Sequence, residues 1–403
     1  MSTTTHAYLA RAAYTKEGVD RFLDSTAHNW GAFDPELGYV RQASIQRNGV
    51  DGSFSVRRDG PHGERLMQNY AAGPCRVNTY GNSFTQCDQV SDGETWQEYL
   101  AAHIGEPVRN FGVGGYGVYQ AYRRMLREEA TIASAEYVML NVWSDDHYRS
   151  IYSWRMLHMP GYAEMLRDTL SVQDAGHMFH ANPWAHLRMN LDTGAFEEQP
   201  NRYPTPDSLY DLCDLDHVVE AFRNDVEVQC RLATQGATDV QVDLLTRFAD
   251  ALDMPADFSS PDAAAKTGGA LLTAYALRST MFVVDRAEEF AASSGKKLMV
   301  LLSFMSSDIV GACHERPRFD QPFVDYLNGR DVLYVDSLQK HVDDFAQFAC
   351  TPEEYAARYY IGHYAPVGNH FFAFAIKDEV VGWLNPTPPA YRFDTPPRPG
   401  ALV

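Results

Sequence analysis

From Cys75 onward, short apolar runs alternate with stretches whose apolar residues recur at helical spacing, and this alternation limits the fold more than any other feature. The runs CRVNTYG, PVRNFGV and EYVMLNVW are each long enough for one strand and apolar enough to be covered on both faces. Between them, Trp96, Tyr99 and Leu100, then Val118, Ala121, Tyr122 and Met125, fall at i, i+3, i+4 positions, so each stretch has one face to lay on a sheet. KKLMVLLSF near 296–304 and DVLYVDS near 331–337 add two strand candidates, preceded by helical patterns near 264–292 and 320–328. The expectation is an α/β chain with five parallel strands wrapped by helices.

Three regions interrupt the pattern. Residues 1–74 are polar and rich in Gly, Arg and Asn, and DGSFSVRRDGPHG reads as a short hairpin or irregular covering layer. Residues 147–260 mix tryptophan, histidine, proline and helical stretches without alternation and read as an insertion, within which HLRMNLDTGAFEEQ predicts a hairpin about Asp192-Thr193-Gly194. The residues of 387–403 hold too many prolines for regular structure and are expected to run extended. The domain that carries the sheet is read as 75–386, with the insertion inside it.

Composition removes other classes. With 403 residues, 45% hydrophobic and 12% aromatic, the chain can bury a large core, which excludes a disordered or disulfide-stapled protein. The 34 Lys and Arg stand against 53 Asp and Glu, a net charge of -19, and no cationic cluster is present to contact phosphates, so no nucleic-acid partner is expected. No membrane is expected either, because no run approaches the 18 apolar residues of a span, and the first residues lack a signal-peptide core. Six scattered cysteines without CxxC spacing suit reduced thiols and a cytoplasmic location. His177, His180 and His186, with Asp145, Asp146 and His147, match no compact metal-site spacing, and no metal or other cofactor is expected.

The chemistry-bearing residues stand where strands end. In RVNTYGNSFTQ an apolar strand runs into Gly81-Asn82-Ser83, which puts a serine at the carboxyl edge of the first strand, the edge where open α/β sheets bind ligands. Asn110-Phe-Gly112-Val-Gly114-Gly115-Tyr-Gly117 follows the second strand, and its glycines allow backbone N–H groups to approach a ligand closely. It is not read as a dinucleotide loop, because it follows the second strand and no acid is placed for a ribose. Trp143-Ser144-Asp145-Asp146-His147 ends the third strand, and His363 lies in IGHYAPVGNHFFAFAI before the last helix. Cys87, four residues after Ser83, is read as packing rather than as a second nucleophile.

In this order the blocks resemble the SGNH hydrolases, also called the GDSL esterases and lipases: GNSF at 81–84 is similar to the nucleophile block, NFGVGGYG at 110–117 to the second block and GHYAPVGN at 362–369 to the histidine block. The resemblance covers about 75–150 and 296–384. It implies a flavodoxin-like three-layer α/β/α sandwich with strand order 2-1-3-4-5, an amino-terminal cover and an inserted cap. It also implies Ser83 as nucleophile, His363 as general base, and the Ser83 and Gly115 N–H groups as oxyanion donors. The implied reaction is hydrolysis of a small acyl or acetyl ester through a seryl intermediate.

Two departures leave alternatives open. The family's third block ends in Asn-Asp, the Asn side chain completing the oxyanion hole, whereas the register here puts Asp145 at that position. An ionised carboxylate there would repel an oxyanion, so Asp145 is protonated, turned away, replaced by Ser144 or a water, or engaged with a cationic group of the substrate. The favoured version is the cationic substrate. The family also commonly places Asp two or three residues before the histidine, where this chain has Tyr360 and Ile361. A Ser–His dyad, Glu353 or Glu354, or a backbone carbonyl remain as ways to orient the imidazole. Asn82, Tyr116, Tyr119, Trp143 and Ser144 are candidates for the substrate pocket, and the insertion is expected to cover the carboxyl edge. Acyl transfer, non-hydrolytic chemistry and simple ligand binding are the other functions such a chain could serve; the oligomeric state is not legible.

Overall fold

The computed structural model describes residues 4–24, 26, 31–159 and 182–385. The Pro-rich tail, His177 and His180 lie outside them. All five expected strands form: β1 (Val77–Tyr80), β2 (Val108–Asn110), β3 (Tyr137–Trp143), β4 (Lys297–Ser303) and β5 (Leu333–Asp336). They make one parallel sheet in the order β5-β4-β3-β1-β2, which is the 2-1-3-4-5 order read from the other edge. The β1 residues are buried throughout and β3 is buried up to Val142, as strands covered on both faces must be.

Helices cover both faces. α1 (Trp96–Ile104) packs with the carboxyl-terminal α5 (Pro366–Leu384), Trp96 meeting Phe372 edge-on at 5.3 Å between ring centroids. On the other face lie α2 (Val118–Glu129), α3 (Pro261–Ser294) and α4 (Gln321–Asn328). Val118, Ala121, Tyr122 and Met125 form the buried stripe of α2. The fold is a three-layer α/β/α sandwich with an all-parallel sheet.

The insertion builds a second hydrophobic core. Its helices Leu215–Phe222, Val226–Thr234 and Val242–Ala251 bury Phe222, Leu232 and Phe248 with Trp154 and Trp184. The predicted hairpin forms between His186–Met189 and Phe196–Gln199. α3 joins the two cores: Leu271, Leu272 and Tyr275 belong to the second, Val283, Val284 and Ala287 to the first. A single 34-residue helix, started by Ser260 and Pro261 and ended at Gly295, therefore locks the insertion to the sheet.

The amino-terminal 74 residues divide rather than form one cover. Tyr8, Leu9, Tyr14, Val19 and Phe22 complete the insertion's core, and the Tyr14 N–H donates to the Leu212 carbonyl. Residues 44–66 instead lie beside the turn that follows β1, with Ser44–Gln46 pairing antiparallel to Ser55–Arg57. The insertion leaves β3 at the carboxyl edge and at once contacts the glycine loop. Arg149 donates to the Tyr116 carbonyl (3.2 Å), and the Tyr119 N–H donates to Ser150 Oγ (3.1 Å). Among the described residues, no helix is long and apolar enough to cross a membrane.

Candidate active site

β1 delivers its last residues into a one-turn helix, Ser83–Gln86, capped by Asn82, whose side-chain oxygen accepts the Phe84 N–H (2.8 Å). Ser83 is the first residue of that turn and half-buried, so its hydroxyl sits beyond the carboxyl end of β1. Asn141 of β3 braces the turn by donating to Thr85 Oγ1 (3.0 Å). The glycine loop is sewn to the same turn. The Val113 N–H donates to the Gly81 carbonyl (3.0 Å) and the Gly114 N–H to Gln86 Oε1 (2.6 Å). Gly112 lies so close that a Cβ there would sit 2.2 Å from the Gln86 nitrogen, which only glycine avoids. Among the described residues, the Ser83 and Gly115 N–H groups have no protein acceptor.

His363, 280 positions away, brings Nε2 to 2.8 Å from Ser83 Oγ. Its Nδ1 is 2.9 Å from Gln89 Oε1, which also accepts the His363 backbone N–H at 2.7 Å. Gln89 Nε2 donates to the Asn48 carbonyl (3.0 Å), so the amide oxygen is the atom that faces the histidine. An amide oxygen only accepts; Nδ1 therefore carries the proton, and Nε2 presents its lone pair to the serine hydroxyl. Burial pushes the His363 pKa down, Arg149 adds to this and Asp88 opposes it, and the net shift is downward, so the ring is neutral near pH 7.

The residue that orients the imidazole is thus Gln89, in place of Glu353, Glu354 or a backbone carbonyl. Glu353 pairs with His314 at the surface, and Glu354 caps its own helix through Thr351. The turn holding Gln89 is costly in itself, because Cys87 (φ 60°) and Gln89 (φ 69°) both adopt the left-handed region. Buried Arg65 holds it there, donating to the Gln86, Cys87 and Val90 carbonyls and pairing with Asp92 (2.9 Å). The Cys87 thiol, which faces Gln97 and backbone carbonyls, is pushed up to about 12 by burial and is packing material.

The third block departs from expectation. Asp145 is engaged by its own chain: its side chain, 41% exposed, pairs with Arg149 at 3.0 Å. Its cation comes from its own chain, so the substrate need not supply one. Ser144 is also spoken for, since its hydroxyl donates to Asp308 and accepts the Met305 N–H (3.2 Å), which removes it as oxyanion donor and pocket residue. Asp146 is the acid beside the Ser83 turn. Fully buried, it accepts from Asn82 Nδ2 (2.8 Å), Arg149 (2.9 Å) and the Trp143 N–H (3.1 Å). Burial outweighs Arg149, Asn82 and the Trp143 N–H and pushes its carboxyl up to about 7.

Of the other pocket candidates, Asn82 is buried as cap and Asp146 partner. Tyr116 is buried in the second core with its hydroxyl donating to the Tyr39 carbonyl, and Tyr119 donates to Glu198. Only Trp143 borders the site, stacked on Phe84 at 4.9 Å, with the Phe84 ring 5.0 Å from His363. A cavity of about 200 Å³ opens on the same sheet edge beyond β4 and β5, walled by Phe304, Asp308, Arg318 and Leu338. Among the described residues, no group of three or more His, Cys, Asp or Glu is arranged to hold a metal ion, and His186 is buried against the Trp184 carbonyl.

Gln89, Asp88, Arg65 and Arg149 are the site residues that sequence reasoning missed. Only Arg149 had a readable signal, at i+4 from Asp145 and i+3 from Asp146. Comparison with protein-family models finds no matching family, and comparison with curated proteins finds no match.

Proposed function

We propose that the chain is a serine hydrolase of the SGNH kind that cleaves a small acyl or acetyl ester through an acyl-enzyme on Ser83. The observation that carries the reading is the relay Ser83 Oγ, His363 Nε2, His363 Nδ1, Gln89 Oε1, with links of 2.8 and 2.9 Å. In that relay His363 takes the serine proton as Oγ attacks the acyl carbon and returns it to the departing alkoxide; water then repeats the sequence to release the acid. The Ser83 and Gly115 N–H groups are the donors to the tetrahedral oxyanion, and each such donor lowers the barrier by about 2.7–4 kcal/mol in comparable sites. A fluorophosphonate probe should add its mass to the peptide containing Ser83, and p-nitrophenyl acetate should be turned over. Absence of label on a folded, histidine-intact protein would sink the proposal.

A further inference from the structure

We infer that Gln89 and Asp88 share the work that one carboxylate does in a serine–histidine–acid triad: Gln89 holds the tautomer of His363, and Asp88 supplies the negative charge that stabilises the imidazolium. The inference rests on the serine-hydrolase reading of the site. A triad acid both fixes the ring and favours its charged form. An amide does only the first, because Gln89 Oε1 accepts from Nδ1 and from the His363 N–H but carries no net charge. The approach depends on Gly362, where φ is +112° and a Cβ would lie 2.7 Å from Gln89 Oε1.

The charge stands one residue away. Asp88 belongs to the same turn: its N–H donates to the Ser83 carbonyl (3.0 Å), and its carboxylate accepts the Gln89 N–H (3.1 Å). The nucleophile, the orienting amide and the carboxylate thus move as one unit. The charges that act on Asp88 are those of His363, Arg41 and Arg65, and those that act on His363 are Asp88 and Arg149. Burial pushes the Asp88 carboxyl up, but His363, Arg41, the Gln89 N–H and Arg65 outweigh it and hold it below the ordinary carboxylate range. Arg41, Arg65 and the Gln89 N–H act on the Asp88 carboxylate whether or not His363 is charged. When the Ser83 proton reaches Nε2, the new positive charge is opposed by Arg149 and stabilised by Asp88.

The test moves the charge without moving the hydrogen bond. Nitrogen-15 spectra of the His363 ring, assigned by loss in His363→Gln, report tautomer and protonation midpoint whether or not the protein turns over an ester. Asp88→Asn should lower the midpoint, keep the Nδ1–H tautomer, cut kcat/KM by about tenfold and move its acid limb to lower pH. Gln89→Ala should lose the fixed tautomer and about 10²-fold in kcat/KM. Asp88→Asn/Gln89→Glu puts both roles in one side chain; its limb should move to higher pH, with most of the lost rate recovered despite loss of the Asn48 bond. That double variant keeps the charge count, and it decides the question should Asp88→Asn not fold. A lowered plateau with an unmoved midpoint would mean a structural role for Asp88 and would overturn the inference. The same follows if Gln89→Ala keeps tautomer and rate, or if the double variant recovers nothing. If instead the ring behaves as expected while even the wild type labels no serine, the hydrolase reading fails and the division of roles between the two side chains stands.

Discussion

Carboxylates flank the Ser83 turn on two sides, and the two sides treat them differently. Toward His363, the Asp88 carboxylate is favoured by Arg41, Arg65 and the Gln89 N–H, while burial pushes the ring toward its neutral form. Toward the third block, Asp145 and Asp146 share a permanent cation, Arg149, which reaches both within 3.0 Å, and burial raises the Asp146 carboxyl to about 7. A proposed mechanism explains the difference. A positive charge develops on the histidine side, where a standing negative charge lowers the barrier; a negative charge develops on the oxyanion side, where any carboxylate must be cancelled. The chain keeps charge on one flank and neutralises it on the other.

Both flanks matter only if Ser83 is the reacting atom, so its removal should have the largest effect. Ser83→Ala should reduce p-nitrophenyl acetate turnover by at least about 10³-fold, since a nucleophile lost from a cooperating relay takes most of the catalysis with it. The melting temperature should hardly move, because among the described residues Ser83 Oγ bonds only the imidazole. Wild-type turnover by the purified variant would remove the basis for comparing the flanks.

Removing the shared cation tests the second flank next. Arg149→Met leaves buried Asp146 with Asn82 and one backbone N–H as partners, and stranding a buried charge costs about 3–5 kcal/mol. The sign with pH follows from protonation. The folded Asp146 carboxyl titrates at about 7, above the ordinary carboxylate value, so its stabilising share is present at low pH and is lost as pH rises through about 7. Arg149→Met should raise that titration further, and the variant should lose much more stability at pH 8 than at pH 5. Equal losses by chemical denaturation at both values would show that Asp146 does not depend on Arg149.

The two flanks also differ in how much of them the sequence reveals. The five strands are legible as short runs between helical stretches; Ser83 stands out because it follows the first strand, and His363 through the resemblance of GHYAPVGN to the histidine block. Gln89 is not. Its position depends on left-handed backbone at Cys87 and at Gln89 itself, residues that do not advertise such turns, and on Arg65 arriving from the amino-terminal segment. Register alone aligns Asp145 with an oxyanion donor; one position of helical rotation beyond β3 instead turns Asp146 inward and Asp145 toward solvent. Likewise, aromatic side chains near the strand ends cannot be sorted by sequence into pocket and core, and Tyr116 and Tyr119 fall to the core.

Tyr119 marks where the second flank stops. Its hydroxyl serves Glu198 on the insertion hairpin, so Tyr119→Phe should cost about 1 kcal/mol of stability and leave kcat/KM for short esters unchanged. A selective loss for one ester size would return Tyr119 to the pocket.

The smallest effect is expected at Asp145, the residue that looks most damaging in the sequence. Its carboxylate pairs with Arg149 while 41% exposed, and an exposed i,i+4 pair contributes no more than about 1 kcal/mol. In Asp145→Asn, Arg149 keeps its bonds to Asp146 and to the Tyr116 carbonyl, so the cation stays in place on the oxyanion side. Asp145→Asn should therefore change kcat/KM by no more than about threefold for neutral and cationic esters alike, with a stability loss that shrinks as salt is raised. A rise of more than about tenfold on neutral esters would mean that the Asp145 carboxylate reaches the oxyanion after all. It would also mean that the cancellation by Arg149 is incomplete, and that the flanks differ less than their geometry indicates.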